Sequence, residues 1–357
     1  MRHAPDWKPG RLVTARRVFA RTGSLWLCMV SHAVKGLRAR FRPRPAQGRP
    51  DRDLTLRGVR TLHMVGAWVF DHSGPLAPRL AALGEPLHRR LFPHSLLADP
   101  EMPIGIKGLS LYHDGRPSYH LQMLAMGMHD RDVVDVLVHI ARPRMTVVDV
   151  GAHLGYFALL SAGLGGPGSK VWAFEPSPAV LPLLRRNVAA NAAGAAVTVV
   201  PSAVGDRIGT LTLFPGDADS MVSSVYAAAA GSGRWGTVVP CTSLDAWLRW
   251  QGWPAVDVIK VDIEGHEVAA LAGMRETIRR NPSVALVIEL NERTLAAAGE
   301  TISSFWSALA ACGLNDVRLA RRSLQQITYP RDLDLVRREI RRQGNDRVNL
   351  LCRRPAS

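Results

Sequence analysis

The chain has little cysteine, no long apolar run and little acidic charge over its first 60 residues. Its four cysteines, Cys28, Cys241, Cys312 and Cys352, are far apart, and no C-x-x-C pair occurs. That spacing excludes a dense disulfide framework, and free thiols in a reducing, cytoplasmic setting are the expectation. No uninterrupted apolar run reaches the roughly 18 residues a spanning helix needs. The best stretch, "SLWLCMVSHAV" at 24–34, is short and holds two serines and a histidine; read as a signal-peptide core, it has no convincing small-residue cleavage site after it. The net charge of +15 is unevenly placed: residues 1–60 carry +12, residues 321–357 carry +6, and the middle carries −3. A domain built around a nucleic-acid backbone would itself be basic, so nucleic acid is not the expected partner. The basic arms read as solvated tails, with anionic lipid or another acidic surface as the contact they suit.

What remains suffices for a sizeable core, since 47% of the 357 residues are hydrophobic. Residues 1–57 read as an arm. Within it, 38–53, rich in Arg, Pro and Gly, is a flexible linker, and 11–40 is a candidate membrane-surface helix with one apolar face. Residues 58–140 form an extension. Here "VRTLHMVGAWVF" and "LAPRLAALGEPLHRRLF" suggest short helices, 104–121 a hairpin turning at His-Asp-Gly-Arg, and 130–141 a helix with Asp130 in its opening turn. Residues 141–320 are the core, and 321–357 a basic segment contributing a last strand.

From 146 onward apolar strands alternate with helical segments. The strands are expected at 146–151, 170–176, 197–205, 256–265 and 283–290, with others near 315–320 and 347–352; helices are expected at 155–164, 178–192, 267–280 and 301–313. Near-continuous Val/Ile/Leu runs imply strands covered on both faces. The pattern predicts an α/β, Rossmann-like, mostly parallel doubly wound sheet. Ligands of such sheets sit beyond the carboxyl ends of the strands.

The first strand ends in "DVGAHLG", bringing Asp149, Gly151, Ala152, His153 and Gly155 to a tight turn before a helix. Glycine lets a ligand approach the backbone there, and the helix start offers free N–H groups. The turn lacks the G-x-G-x-x-G of dinucleotide sites. The second strand ends in Glu175 and Pro176, and a carboxylate at that offset can accept both hydroxyls of a ribose. NAD and S-adenosylmethionine both carry that ribose, so both remain open on this ground. Small residues in "PSAVGD" leave a slot for a flat base. The fourth strand ends in "KVDIEGHE", which crowds Asp262, Glu264, His266 and Glu267 before a helix, and Glu289 adds a carboxylate near the end of the fifth strand. Such a set can move a proton or hold a cation, or simply cap a helix.

"VVDVGAHLGYFALLSAGLGGPGSKVWAFEPSPAVLPLLRRNVAAN", "SAVGDRIGTLTLF", "SLDAWL" and "IKVDIEGHEVAALAGM" together resemble the FkbM family of S-adenosylmethionine-dependent methyltransferases, over about 104–321. The resemblance implies a Rossmann-like methyltransferase, in many members an O-methyltransferase of natural-product or glycan hydroxyls, and it selects S-adenosylmethionine over NAD. It places the cofactor's methionine end on Asp149 to Gly155, where members commonly have Asn at the position of His153. It places the ribose on Glu175 in the motif Phe174-Glu175-Pro176 and adenine beside Ala203. Asp262, Glu264, Gly265 and Glu267 come to the reactive end, and Ser223 and Ser224 of "MVSSVY" come toward substrate.

Methyl transfer to a hydroxyl needs positioning and a base. His266 is the base by intrinsic pKa. Asp262 and Glu264 would orient it, take the proton themselves or hold a divalent ion. Base and orienter rank first, and no metal ligands are assigned. An N-methyltransferase with the same cofactor and a non-catalytic basic adaptor are the alternatives.

Overall fold

The computed structural model describes residues 103–114, 130–215, 223–227, 235–321, 324–343 and 346–355. The expected arm, linker and short helices before residue 103 lie outside them, as does Cys28. The described chain opens with β1 (Ile104–Ile106) and β2 (Leu109–Leu111), then α1 (Arg131–Ile140). Next come β3 (Thr146–Val150), α2 (Tyr156–Gly165), β4 (Lys170–Phe174), α3 (Leu181–Ala189) and β5 (Val197–Val200). An insertion holds β6 (Ala203–Val204), β7 (Gly209–Pro215), β8 (Ser223–Ser224) and β9 (Thr237–Thr242). It leads through α4 (Leu244–Trp250) to β10 (Val258–Val261), α5 (Glu267–Ala272), α6 (Arg275–Arg280) and β11 (Ala285–Asn291). The end of the chain adds α7 (Glu292–Ala297), α8 (Ile302–Ala311), β12 (Asp316–Leu319), β13 (Gln325–Ile327), α9 (Leu333–Gln343) and β14 (Arg347–Arg353).

The main sheet has the order β13-β12-β14-β11-β10-β3-β4-β5. It is parallel from β11 to β5, and β14 runs antiparallel between β11 and β12. From β3 the chain winds one way to β4 and β5, then the other way through β10 and β11. The crevice at that reversal, between β3 and β10, is where a doubly wound sheet holds its ligand. Both faces are covered, as the unbroken apolar runs require. Val147, Val171, Val258 and Val287 pack under α1, α2 and α3, and Val148, Trp172, Ile259 and Ile288 under α4, α5 and α8.

Several elements differ from the sequence reading. The described hairpin turns at Lys107 and Gly108, whose φ angles of 48° and 82° suit a two-residue turn, while the turn expected at His-Asp-Gly-Arg lies partly outside the described residues. The strand expected over 197–205 breaks, because Pro201 has no N–H to continue a ladder; β6 then joins a second sheet, β6-β9-β7-β8. The helix expected over 267–280 is two, since Gly273 ends α5 against the Gly205 carbonyl, where a Cβ would lie 2.0 Å from the oxygen. The last segment contributes α9 as well as β14. Asp130 precedes α1 in a left-handed conformation and makes no side-chain cap; its carboxylate meets Arg347 at 3.0 Å.

The hairpin is held by two side-chain amides that imitate a strand, one on α3 and one just past its end. Asn191 Oδ1 accepts from Ser110 N at 2.9 Å, and its Nδ2 donates to Ser110 O at 2.9 Å. Asn187 Oδ1 accepts from Tyr112 N at 2.6 Å, and its Nδ2 donates to Tyr112 O and to Leu154 O. Asn187 is fully buried, so it ties the hairpin to the glycine turn that follows β3. Asn187→Ala leaves buried backbone groups without partners and is expected to cost about 3 kcal/mol, read as a lower urea midpoint.

Candidate functional site

The carboxyl ends of β3, β4, β6 and β10 open into one cleft. Gly151 forms its floor. Its φ is +81°, and a Cβ would lie 1.9 Å from the Asp262 carbonyl, so β3 and β10 approach here as only glycine allows. Ala152 and His153 continue the wall. His153 has φ +50°, the left-handed region that Asn, Asp and His enter most readily. Gly155, φ +86°, packs on Leu184 and starts α2; it supports the turn from outside the cleft wall.

Asp149 does not face the cleft. It is 1% exposed, and Lys260 lies across from it on β10, Nζ to Oδ1 3.4 Å. The same Nζ is 3.5 Å from Asp262 Oδ2 and donates to Gly151 O at 3.1 Å. Lys260 is thus the buried cation that fastens the glycine turn to the end of β10, and the sequence reading missed it. The available signal was a lysine inside the apolar run "VDVIKVDI". Asp149 acts through it. Burial pushes the Asp149 carboxyl up, while Lys260 opposes the shift. The ammonium's own pKa is raised by Asp149 and then Asp262, against the pull of its burial.

Glu175, also buried, divides its oxygens between two backbone donors. Oε2 accepts from His153 N at 2.9 Å and Oε1 from Ser177 N at 2.8 Å. Each oxygen keeps a lone pair, and the residue lines the cleft beside Pro176. Burial raises its carboxyl to about 7. Past it the wall is apolar, with Val180, Ala203, Val204 and Leu213. A carboxylate with two spare acceptor positions beside an apolar slot suits the hydroxyls and the flat base of an adenosine.

The loop after β10 carries Asp262, Glu264 and His266 to the same cleft. Glu264 is left-handed at φ +54°, and its carbonyl accepts from Ser224 Oγ at 2.8 Å. Ser224 is therefore a buried anchor and does not face substrate; Ser223 lines the cleft. Glu267 turns inward as well. Its carboxylate accepts from Ile263 N at 3.2 Å and Gly265 N at 3.0 Å, so it braces the loop and does not reach the reactive end. Burial lifts both Glu264 and Glu267 to about 7.

Asp262, Glu264 and Glu289 bring one carboxylate oxygen each within 4.8 Å of one another, a spacing that could hold a divalent ion. Fixed cations already face the group. Arg347 Nη1 lies 2.8 Å from Glu289 Oε2, and Lys260 reaches Asp262. His266 Nδ1 is 3.0 Å from the Tyr226 hydroxyl, and burial lowers its pKa. Cys241, Cys312 and Cys352 are free and buried, and no helix among the described residues is long and apolar enough to cross a membrane.

The mostly parallel sheet with an antiparallel β14, a glycine turn after β3 and an acidic end to β4 make a Rossmann-like α/β fold. Residues 149–314 match the family model of the methyltransferase FkbM domain. Methyltransferase sdnD of Sordaria araneosa is 30% identical, over 36% of this chain and 60% of its own length. The hexuronic acid methyltransferase AglP of Haloferax volcanii is 29% identical, over 42% of this chain and 58% of its own. The chain therefore spans less than two thirds of these relatives. Among solved structures, methyltransferase FkbM from Methylobacillus flagellatus KT aligns with a TM-score of 0.36 and 17% identity, covering 68% of this chain and 56% of that one.

Proposed function

We propose that the protein is an S-adenosylmethionine-dependent O-methyltransferase acting on a hydroxyl of a sugar, glycan or other small molecule. One juxtaposition carries the reading: a carboxylate with spare acceptor positions, Glu175, shares a cleft with the proton-accepting groups of the Asp262–His266 loop. The name of the Haloferax relative makes a hexuronic acid the first acceptor to test.

When bound, the cofactor supplies an electrophilic methyl group on a sulfonium. The chain's residues do the rest. Glu175 accepts the ribose hydroxyls, and Val204 and Ala203 flank the base. Gly151, Ala152 and His153 form the floor for the amino-acid end, held in place by Lys260. Holding two reactants in line contributes most of the acceleration in such a transfer. The acceptor hydroxyl gives its proton to the loop that bears Asp262, Glu264 and His266, a contribution of about 10²–10⁴. The near-neutral core and the cleft's apolar walls favour a small acceptor over a nucleic acid, and the basic arm would serve contact with an acidic surface such as a membrane.

Incubation with methyl-labelled S-adenosylmethionine and a panel of hexuronosides and sugars, read by mass spectrometry, tests this reading; absence of cofactor binding in calorimetry overturns it. Glu175→Gln is expected to weaken that binding about 10- to 100-fold, since hydrogen bonds to a charged acceptor are worth about 1.5–3 kcal/mol. The carboxyl titrates near 7. Below that pH it holds a proton and loses acceptor capacity, so wild-type affinity should fall on acidification through 7. The variant should show no such fall.

A further inference from the structure

His266 has two ring nitrogens, and neither opens freely to the cleft. Nε2 is buried and without a hydrogen-bond partner among the described residues. It faces the space above Gly205, where a Cβ would sit 2.9 Å from Nε2 and 3.1 Å from Cys241 Sγ. The side chain of residue 205 is absent, and the imidazole fills its place. Nδ1 is met by the Tyr226 hydroxyl at 3.0 Å, with the two rings tilted 49° at 5.8 Å between centroids.

Tyr226 is held there by its own segment. Ser224, at the end of β8, donates to the Glu264 carbonyl, and the same hydroxyl accepts from Tyr226 N at 3.1 Å. The strand pair β7–β8 carries the segment across to the loop after β10. Ser223 and Val225, on either side of Ser224, line the cleft, as does His266, and Tyr226 between them and His266 is half-buried. The segment thus presents a phenol hydroxyl at the one nitrogen through which His266 could exchange a proton.

From this geometry we propose that Tyr226 is a catalytic residue, and that the acceptor hydroxyl meets Tyr226 Oη while His266 receives the proton behind it. The proposal rests on the O-methyltransferase reading and adds the route of the proton. The acceptor's proton passes to Tyr226 Oη as the proton of Tyr226 passes to the lone pair of His266 Nδ1. The electron pair left on the acceptor oxygen takes the methyl group. His266 ends as an imidazolium and returns its proton to water through Tyr226. Throughout, Tyr226 is never left as a phenolate, which suits a phenol whose pKa burial, Glu300, Glu267 and Asp206 all raise. Burial lowers the pKa of His266, and Asp206 works the other way.

The first test needs no acceptor. Diethyl pyrocarbonate acylates an accessible, unprotonated imidazole nitrogen, and mass spectrometry of the peptide holding His266 measures the rate. Tyr226→Phe removes only the hydroxyl that covers Nδ1, and the acylation of His266 is expected to become at least tenfold faster. Unchanged S-adenosylmethionine binding would show the fold intact. Equal rates in the two proteins would overturn the proposal, since His266 would then be reached some other way. The second test uses methyl glucuronoside and labelled cofactor. Tyr226→Phe should lower kcat about 100-fold with KM unchanged, in the range of a lost general base. Retention of kcat within twofold would sink the relay. If the wild-type protein leaves this probe unmethylated, the choice of acceptor fails instead, and the acylation rates decide whether Tyr226 controls access to His266.

Discussion

Lys260→Met is expected to destabilise the domain by about 3–5 kcal/mol, because it removes one member of a buried ion cluster and leaves the rest uncompensated. Asp149, 1% exposed, would keep no ion-pair partner among the described residues, and Gly151 O would lose its donor. Cofactor binding should disappear in the same variant, since the ammonium spans both edges of the crevice. The deficit should depend on pH with a definite sign. Burial already raises the folded-state pKa of Asp149, and without Lys260 it rises further. A carboxyl with a raised folded pKa holds more protons in the native state, so stability falls as pH rises and returns on acidification. Urea unfolding of the wild type and variant between pH 5 and pH 8, above the unperturbed carboxyl range, should show the gap narrowing toward the acid end. A gap that widens there would mean that the lysine is not compensating a buried carboxylate.

Gly151→Ala is the second large effect. The methyl group would lie 1.9 Å from the Asp262 carbonyl and 3.1 Å from Ile263 Cγ2. The closer neighbour is backbone in the sheet's centre, so no side chain can rotate away. The left-handed φ adds to the cost. Either the turn moves outward into the cleft or β3 and β10 part. Both outcomes spoil the floor, and S-adenosylmethionine affinity is expected to fall more than 100-fold, with several degrees lost in Tm. Calorimetry and thermal unfolding measure the two. Gly155→Ala meets the flexible end of Leu184 instead and should lose stability while keeping more of the affinity.

The strands of the sheet were legible because burial on both faces writes a continuous apolar run. The strand-end residues were legible because a doubly wound sheet has only one edge for ligands. Glu175 is the best case: a carboxylate just past an apolar strand has few structural reasons to be there. Lys260 shows the limit. Within β10 the side chains of Val258 and Lys260 point to one face and those of Ile259 and Val261 to the other. The apolar ladder on the first face gives way, toward the cleft, to Asp149, Lys260 and Glu289, and this change of character needs the registers of three strands at once. The insertion between β6 and β9 was opaque for another reason. Its pairings are short, and Tyr226 and His266 meet across 40 residues of sequence. The helix α9 was hidden by its arginines, although Val336 and Ile340, one turn apart, are the apolar residues it buries. The roles of Asp149, Glu267 and Ser224 were misread alike: each is a polar residue next to the site that spends its hydrogen bonds on the scaffold.

The paired asparagines set a measure. Asn187 sits in the last turn of α3, and Asn191 lies just past the helix end in extended backbone, where its amide also donates to Asn187 O at 2.7 Å. Ser110 and Tyr112, which they grip, are two apart, about 6.8 Å along an extended strand. Two amides pinned to one helix end thus read the hairpin like teeth on a rack. A single inserted residue between 110 and 112 would leave one tooth facing the wrong peptide, and sliding by a whole notch would put one amide beyond the strand's end. The position of the hairpin is therefore counted off from the end of the helix, and because Asn187 also grips Leu154, the same count fixes where the glycine turn lies.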